Sequence, residues 1–315
     1  MFRPVQMPTL DASVPLTIAI PTYNRCSVVQ ALVQSISNQV LPCDELIVSD
    51  DGSTDGTASQ LTQLERLRVL RHEKNQGMVA NWNACLDSAT CEWICIIHDD
   101  DRLEPRGLGA LRNACSLVGE PAVILHQYKG AQFGGAFRCS ISGACPWNVL
   151  NCPTIPSGAV MHKSIIESMG MFDARFKYSA DLEFFPRIAA RFPLVVIESP
   201  RVVSFQLHGD NYELRTWRNS DFYIQLEEIQ KAIIRHAGIE QEDEARRLLR
   251  ERMEGNLRYM LDLAAHFGDV QLVRRIASEY MKRRFSQNLR RRLMLQIAAS
   301  TGIRLGAKRP IGTID

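Results

Sequence analysis

The sequence predicts an α/β domain with a mostly parallel central sheet, followed by a helical, basic C-terminal region. Two observations carry that prediction. Up to about residue 207, short β-rich apolar runs alternate with stretches of helical periodicity, and a parallel strand pair needs such a crossover. After Asp221, apolar residues such as Ile224, Leu226, Ile229 and Ile233, and later Leu248, Met253, Leu257, Met260 and Leu263, recur at helical spacing. The expected division is therefore 1–220 for the α/β unit and 221–315 for the helical appendage.

The first strand, 16–20, reads Leu-Thr-Ile-Ala-Ile and is followed by a helical pattern over 27–39. The alternation continues with a strand at 45–49 and a helix at 55–65, then a strand at 68–70 and a helix at 78–88. A strand at 93–98, a helix at 105–118 and a strand at 122–126 follow. Gly130, Gly134, Gly135, Gly143, Pro146 and Pro153 mark 130–155 as loop, of the flexible kind that can meet a substrate. A strand at 155–161, a helix from 163, an acid-rich junction at 178–183, a helix to about 191 and β-rich runs at 194–198 and 201–207 complete the unit.

Composition excludes several classes. With 37 Lys and Arg against 35 Asp and Glu and 45% hydrophobic residues in 315, the chain is neither disordered, collagen-like nor a coiled coil. No apolar stretch reaches the ~18–20 residues of a membrane-spanning helix, and the start lacks a basic segment followed by an apolar core, so a cytoplasmic location is expected. Nine cysteines without a Cys-x-x-Cys pair read as reduced, buried hydrophobes. Charge is uneven: 271–310 carries eleven Lys and Arg and one acid, Glu279, a net +10 that leaves −8 elsewhere. Such a tail is a solvated helix face, an attachment to an anionic membrane surface, or a homodimer interface. No basic motif interleaved with aromatics points to nucleic acid.

Three strand ends carry chemistry. At Pro21-Thr22-Tyr23-Asn24-Arg25 an apolar strand stops and a polar turn leads into a helix, where Tyr23 can stack on a base and Arg25 can meet a phosphate. At Asp50-Asp51-Gly52-Ser53-Thr54-Asp55 two acids stand where hydroxyls or base N–H groups can be accepted, or where a turn needs a cap. A calcium-loop reading of this block fails, because the twelfth position is Thr62 rather than Glu. At His98-Asp99-Asp100-Asp101 three consecutive carboxylates repel one another by ~1 kcal/mol per close pair even in water, a cost that a hard divalent cation relieves.

These blocks, with Asn75-Gln76-Gly77 through Asn83, resemble the family 2 glycosyltransferases in order and separation over about 15–208. The resemblance implies the GT-A fold and an inverting transfer from a nucleoside diphosphate sugar, a UDP-sugar by family frequency. The acceptor implied is a saccharide or a lipid-linked one at the inner membrane face, in cell-surface polysaccharide synthesis. Mapped onto this chain, Pro21, Thr22, Tyr23 and Arg25 line the base and phosphate site, and Asp51 contacts the base beside Asp50. Asn75, Gly77 and Asn83 belong to the same donor site. The family's Asp-x-Asp falls on His98, Asp99 and Asp100. Asp100 is thereby the implied ligand of Mn²⁺ or Mg²⁺, with Asp101 and His208 as further ligands and Asp99 on the donor side. The family's Glu-Asp pair falls on Ala180 and Asp181, which makes Asp181 the implied catalytic base. Two other readings compete. One is a nucleotidyltransferase, for which a Gly-rich basic triphosphate loop is lacking. The other is a non-catalytic nucleotide-sugar-binding or scaffolding relative, suggested by His98, Ala180 and the basic tail.

Overall fold

A computed structural model describes residues 3–6, 14–62, 64, 66–127, 136–145, 147–150, 156–204, 220–237, 242–266 and 268–282. The chain runs β1 (Arg3–Gln6), β2 (Leu16–Thr22), α1 (Cys26–Ser37), β3 (Glu45–Asp50), α2 (Thr57–Leu61), β4 (Arg68–Arg71), α3 (Met78–Ser88) and β5 (Trp93–Ile96). It continues through β6 (Arg102–Leu103), α4 (Gly107–Val118), β7 (Val123–His126), β8 (Arg138–Ser142), α5 (Trp147–Leu150), β9 (Ala159–His162), α6 (Lys163–Met169), α7 (Ala180–Ala189), β10 (Leu194–Ser199) and β11 (Val203–Ser204). Helices α8 (Ser220–Ala237), α9 (Glu242–His266) and α10 (Val270–Lys282) follow.

Nine strands form one sheet in the order β1-β8-β10-β7-β9-β5-β2-β3-β4, and β6 pairs with β11 in a small second sheet. Within the large sheet every strand except β8 and β9 runs in one direction, because those two are antiparallel to each of their neighbours. The path goes outward from β2 through β3 to β4 and then returns to the other side of β2 as β5. That reversal is the switch point at which α/β sheets bind ligands.

Strand β2 is buried at all seven positions, as a central parallel strand covered on both faces must be. Its period of two sends Leu16, Ile18 and Ile20 to one face, where they join Val29, Leu32, Val33 and Ile36 of α1 and Leu108 and Leu111 of α4. Ala19 goes to the other face, with Ile47 of β3 and Cys85 of α3. Burial pushes the thiols of Cys85 and Cys95 up to about 12, so they behave as small apolar side chains.

The structure departs from the expected elements in several places, among them β1 and β6, which have no expected counterpart. The 130–155 stretch, expected to be loop, contains β8 and α5, and β8 lies between β1 and β10 in the sheet. Flanking glycines and prolines hide that five-residue strand. The helix expected over 55–65 is limited to α2, since the turn that precedes it reaches Gly56 in the left-handed region (φ +88°). Helix α7 starts at Ala180 and carries Pro186 in its interior.

The chain divides into two compact units, Met1–Gln206 with Ile229–Ala245, and Leu207–Glu228 with Arg246–Asp315. Among the described residues no helix is long and apolar enough to cross a membrane.

One buried ion pair ties the first unit together at the start of β2. The Asp44 carboxylate accepts from the backbone of Leu16 (3.0 Å) and Leu41 (2.6 Å) and from the Arg112 guanidinium, which also donates to the Val14 carbonyl at 3.2 Å. Their side chains are 0% and 4% exposed, so removing one partner leaves a buried charge. Asp44→Ala is expected to cost about 3–5 kcal/mol, read as a lowered urea midpoint of the first unit.

Candidate active site

The site is built where β2, β3 and β5 end. After β2 the chain turns through Asn24, whose φ of +51° a short polar side chain tolerates. The Asn24 N–H donates to Ser53 Oγ (2.8 Å), and Asn24 Oδ1 accepts from the Thr54 N–H (2.8 Å). The turns after β2 and β3 are thereby stitched together. Asp55 accepts from the Cys26 and Thr57 N–H groups, which serves the start of α2. Burial would raise its pKa, but these bonds and the Thr57 hydroxyl hold it below the usual carboxylate range.

The two acids after β3 point into the fold. The Asp50 side chain is fully buried, its Oδ1 accepts from the Ser53 N–H at 3.0 Å, and Arg71 Nε lies 3.9 Å from Oδ2. Both Asp51 oxygens accept backbone N–H groups, from Gln76 (2.8 Å) and Gly77 (2.9 Å), and so fix the entry to α3. Between this turn and Lys74 there is no space for a side chain. A Cβ at Gly52 (φ +74°) would lie 2.7 Å from the Lys74 carbonyl carbon. Asn75 is exposed beside this turn, and Tyr23 is 44% exposed, which leaves its ring open to stacking. Pro21 is buried at the end of β2.

The acidic turn after β5 meets the turn after β2. Thr22 Oγ1 donates to Asp99 at 2.7 Å, and Arg25 Nη1 bridges Asp99 (3.0 Å) and Asp100 (2.5 Å). Burial pushes the Asp99 carboxyl up to about 6, against the pull of Arg25 and the Thr22 hydroxyl. Burial alone would lower the Arg25 pKa, but Asp99 and Asp100 outweigh it and hold the guanidinium more firmly charged. The His98 ring stacks on Trp82 with centroids 5.2 Å apart and planes at 18°, and the His98 backbone N–H donates to Ser157 Oγ at 3.0 Å. Burial pushes its imidazole pKa down, which keeps the ring neutral, while Asp100 opposes the shift and Arg25 adds to it.

A ring nitrogen of His98 and carboxylate oxygens of Asp100 and Asp101 lie within 4.8 Å of one another. Two donors on one ion at ~2.1 Å each span at most ~4.2 Å, so a small adjustment brings all three onto a divalent cation. Among the described residues, His98 Nε2 is also buried without a hydrogen-bond partner. The donor set fits a metal.

Asp181 lies in the first turn of α7 and is partly exposed. Its helix is anchored by Glu183 and Arg187, which pair at 2.7 Å, while Arg187 also donates to the carbonyls of Met169 and Met171. Aromatic contacts run from the acidic turn to this helix. Trp82 meets Phe172 edge-on at 5.1 Å, and Phe172 stacks on Phe184 at 3.9 Å. Asn83, expected in the donor site, spends its amide on the Phe172 backbone, donating to its carbonyl (2.9 Å) and accepting from its N–H (3.0 Å). The Asn83 amide and Asp50 Oδ1 thus hold backbone groups of the fold, while Asp50 Oδ2 is buried without a hydrogen-bond partner among the described residues. Asn81, Trp82 and Ser157 were not singled out from the sequence. Asn81 donates to the carbonyls of Thr22 and Ser49, and only the strand ends it bridges reveal that role. His208 lies outside the described residues, as does the tail beyond 282.

The sheet order and the crossing helices give an α/β fold with the GT-A arrangement. The model of the family described as Glycosyl transferase family 2 matches residues 17–125, the segment that supplies all three strand ends. A "GalNAc(5)-diNAcBac-PP-undecaprenol beta-1,3-glucosyltransferase" of Campylobacter jejuni is 36% identical over 101 residues, 30% of this chain and 33% of the relative. The match thus spans about a third of that relative's length. Among solved structures, S. aureus TarS 1-349 in complex with UDP-GlcNAc is similar with a TM-score of 0.57 at 17% identity, covering 91% of this chain and 89% of TarS. The mannosyltransferase PcManGT from Pyrobaculum calidifontis, in complex with GDP-Man and Mn²⁺, is similar with a TM-score of 0.55 at 19% identity, covering 91% and 86%.

The role of Asn83 can be read directly. Asn83→Ala leaves the Phe172 N–H and carbonyl without their partner and is expected to lower stability by about 1–3 kcal/mol in thermal unfolding. A weakened nucleotide affinity with unchanged stability would return Asn83 to the donor contacts.

Proposed function

We propose that the chain transfers a glycosyl group from a nucleoside diphosphate sugar, a UDP-sugar first among candidates, to a hydroxyl of a saccharide or lipid-linked acceptor with inversion. The observation that carries the reading is the convergence of Thr22 and Arg25 on the acidic turn at the switch point of the sheet. In this reading the donor base stacks on Tyr23 near the turn that Asp51 and Gly77 hold, with Asn75 at its rim. Arg25 and the start of α1 face the diphosphate. Asp100, with Asp101 and His208 as further candidates, holds Mn²⁺ or Mg²⁺. The bound ion supplies Lewis-acid stabilisation of the charge that develops on the departing diphosphate.

Asp181 takes the proton of the acceptor hydroxyl. The acceptor oxygen bonds to the anomeric carbon from the face opposite the diphosphate, and the carbon–oxygen bond to the diphosphate breaks with its electron pair. One displacement inverts configuration. The complexes of TarS with UDP-GlcNAc and of PcManGT with GDP-Man and Mn²⁺, and the undecaprenol diphosphate in the Campylobacter enzyme's name, support this donor and acceptor chemistry.

A thermal-shift panel of UDP, GDP, CDP and dTDP, each with and without Mn²⁺, tests the donor. A nucleotide at 100 times its Kd stabilises by roughly 2.7 kcal/mol, and Asp100→Ala is expected to abolish the metal-dependent part. Asp181→Asn is expected to keep that shift while turnover falls about 10²–10⁴-fold. Weakened donor binding with unaltered turnover would remove Asp181 from the base role. No shift with any nucleotide would favour the scaffolding alternative.

The basic tail is proposed to hold the enzyme peripherally on the anionic cytoplasmic face of the membrane. Leu272, Val273 and Ile276 are buried, so the test spares them. Replacing Arg283, Arg284, Arg290, Arg291 and Arg292 by Ala is expected to release the protein from anionic vesicles, each charge contributing ~1 kcal/mol. Equal binding of wild type to neutral vesicles would overturn the proposal.

A further inference from the structure

We infer that His98 ligates the divalent cation through an imidazole nitrogen, so that the cation site mixes nitrogen and oxygen donors and prefers a transition-metal ion such as Mn²⁺ over Mg²⁺. This rests on the metal-dependent reading above and adds to it the third ligand and the choice of ion.

Three observations converge on His98. A nitrogen of its ring stands within 4.8 Å of oxygens from Asp100 and Asp101, close enough for a shared ion after a small adjustment. Its Nε2 is buried and has no hydrogen-bond partner among the described residues, a cost that a bond to an ion removes. Its ring is also set in advance by Trp82, which stacks on one face, while Ser157 Oγ accepts the backbone N–H of His98 and fixes the main chain at that point. Prior orientation of this kind, by partners outside the ligand set, is what favours ligation by an imidazole.

The exchange of carboxylate for imidazole has a direction. Where the family motif has an acid, residue 98 brings no charge, so Asp100 and Asp101 are the carboxylates that remain in the cluster. Arg25, 2.5 Å from Asp100, further weakens the negative potential there. Mg²⁺ binds chiefly through charge and oxygen donors and gains little from a neutral nitrogen. First-row transition ions accept imidazole readily, which offsets the lost charge.

The test uses Mn²⁺ itself as the probe, on the full chain, with and without UDP. Loss of the free-ion electron paramagnetic resonance signal reports binding, and electron spin echo modulation reports a directly bound ¹⁴N. The expected result is ¹⁴N modulation in wild type that disappears in His98→Gln. In His98→Asp, the Mg²⁺ excess needed to displace Mn²⁺ should fall by at least about tenfold. Mn²⁺ bound without ¹⁴N modulation in the wild type overturns this inference and leaves the metal-dependent reading intact. If Mn²⁺ binds in neither condition, both fall. The wild-type spectrum decides the matter even if a variant fails to fold.

Discussion

One guanidinium, that of Arg25, lies between the carboxylates of Asp99 and Asp100, and the candidate site depends on that placement. Adjacent carboxylates at ~4 Å repel by ~4 kcal/mol at the effective dielectric near a protein surface. An acidic turn after β5 is therefore tenable only with a cation beside it. Arg25 reaches the acids because β2 and β5 are adjacent parallel strands, and because Asn24, Ser53 and Thr54 lock the turn that carries it. The same arrangement places a positive group where a diphosphate is expected.

The first half of the fold was legible from local pattern. Strands β2, β3, β5 and β7 are apolar runs that end at polar turns, and each acts at short range in sequence. The three blocks were legible as polar turns at strand ends, but the meeting of Thr22 and Arg25 with Asp99 and Asp100, 77 and 74 residues apart for the Asp99 contacts, follows from β2 lying beside β5. Less legible were the groups whose job is to hold other turns. Asp50 and Asn83 look like ligand-binding side chains in the sequence, and their partners, the Ser53 and Phe172 backbones, are set by tertiary packing. Asn83 and Phe172 are 89 residues apart, a separation that no pattern of period 2 or 3.6 encodes. Strand β8 was hidden for a similar reason: it is a short run among turn residues, and its partners β1 and β10 come from both ends of the unit.

The site also joins early and late parts of the chain. Trp82 touches both His98 and Phe172, and Phe172 packs on Phe184 of α7, so apolar stacking links the acidic turn to the helix that carries Asp181. Rigid aromatic rings lose little conformational freedom on packing. They can therefore set the distance between two polar groups without competing for the hydrogen bonds those groups need.

The place of β9 has a consequence for how the chain is born. Strands β5 and β7 are close in sequence yet do not pair with each other; β9 separates them, antiparallel to both. While a ribosome is extending the chain from residue 126 to residue 162, the emerging polypeptide carries an unfilled edge on β5 and a β7 with neither of its neighbours, since β9 and β10 both come later. The segment matched by the family model, 17–125, ends just before that interval. It is a unit of sequence similarity that lacks β8, β9 and β10, and the sheet closes only when the later part of the chain delivers them.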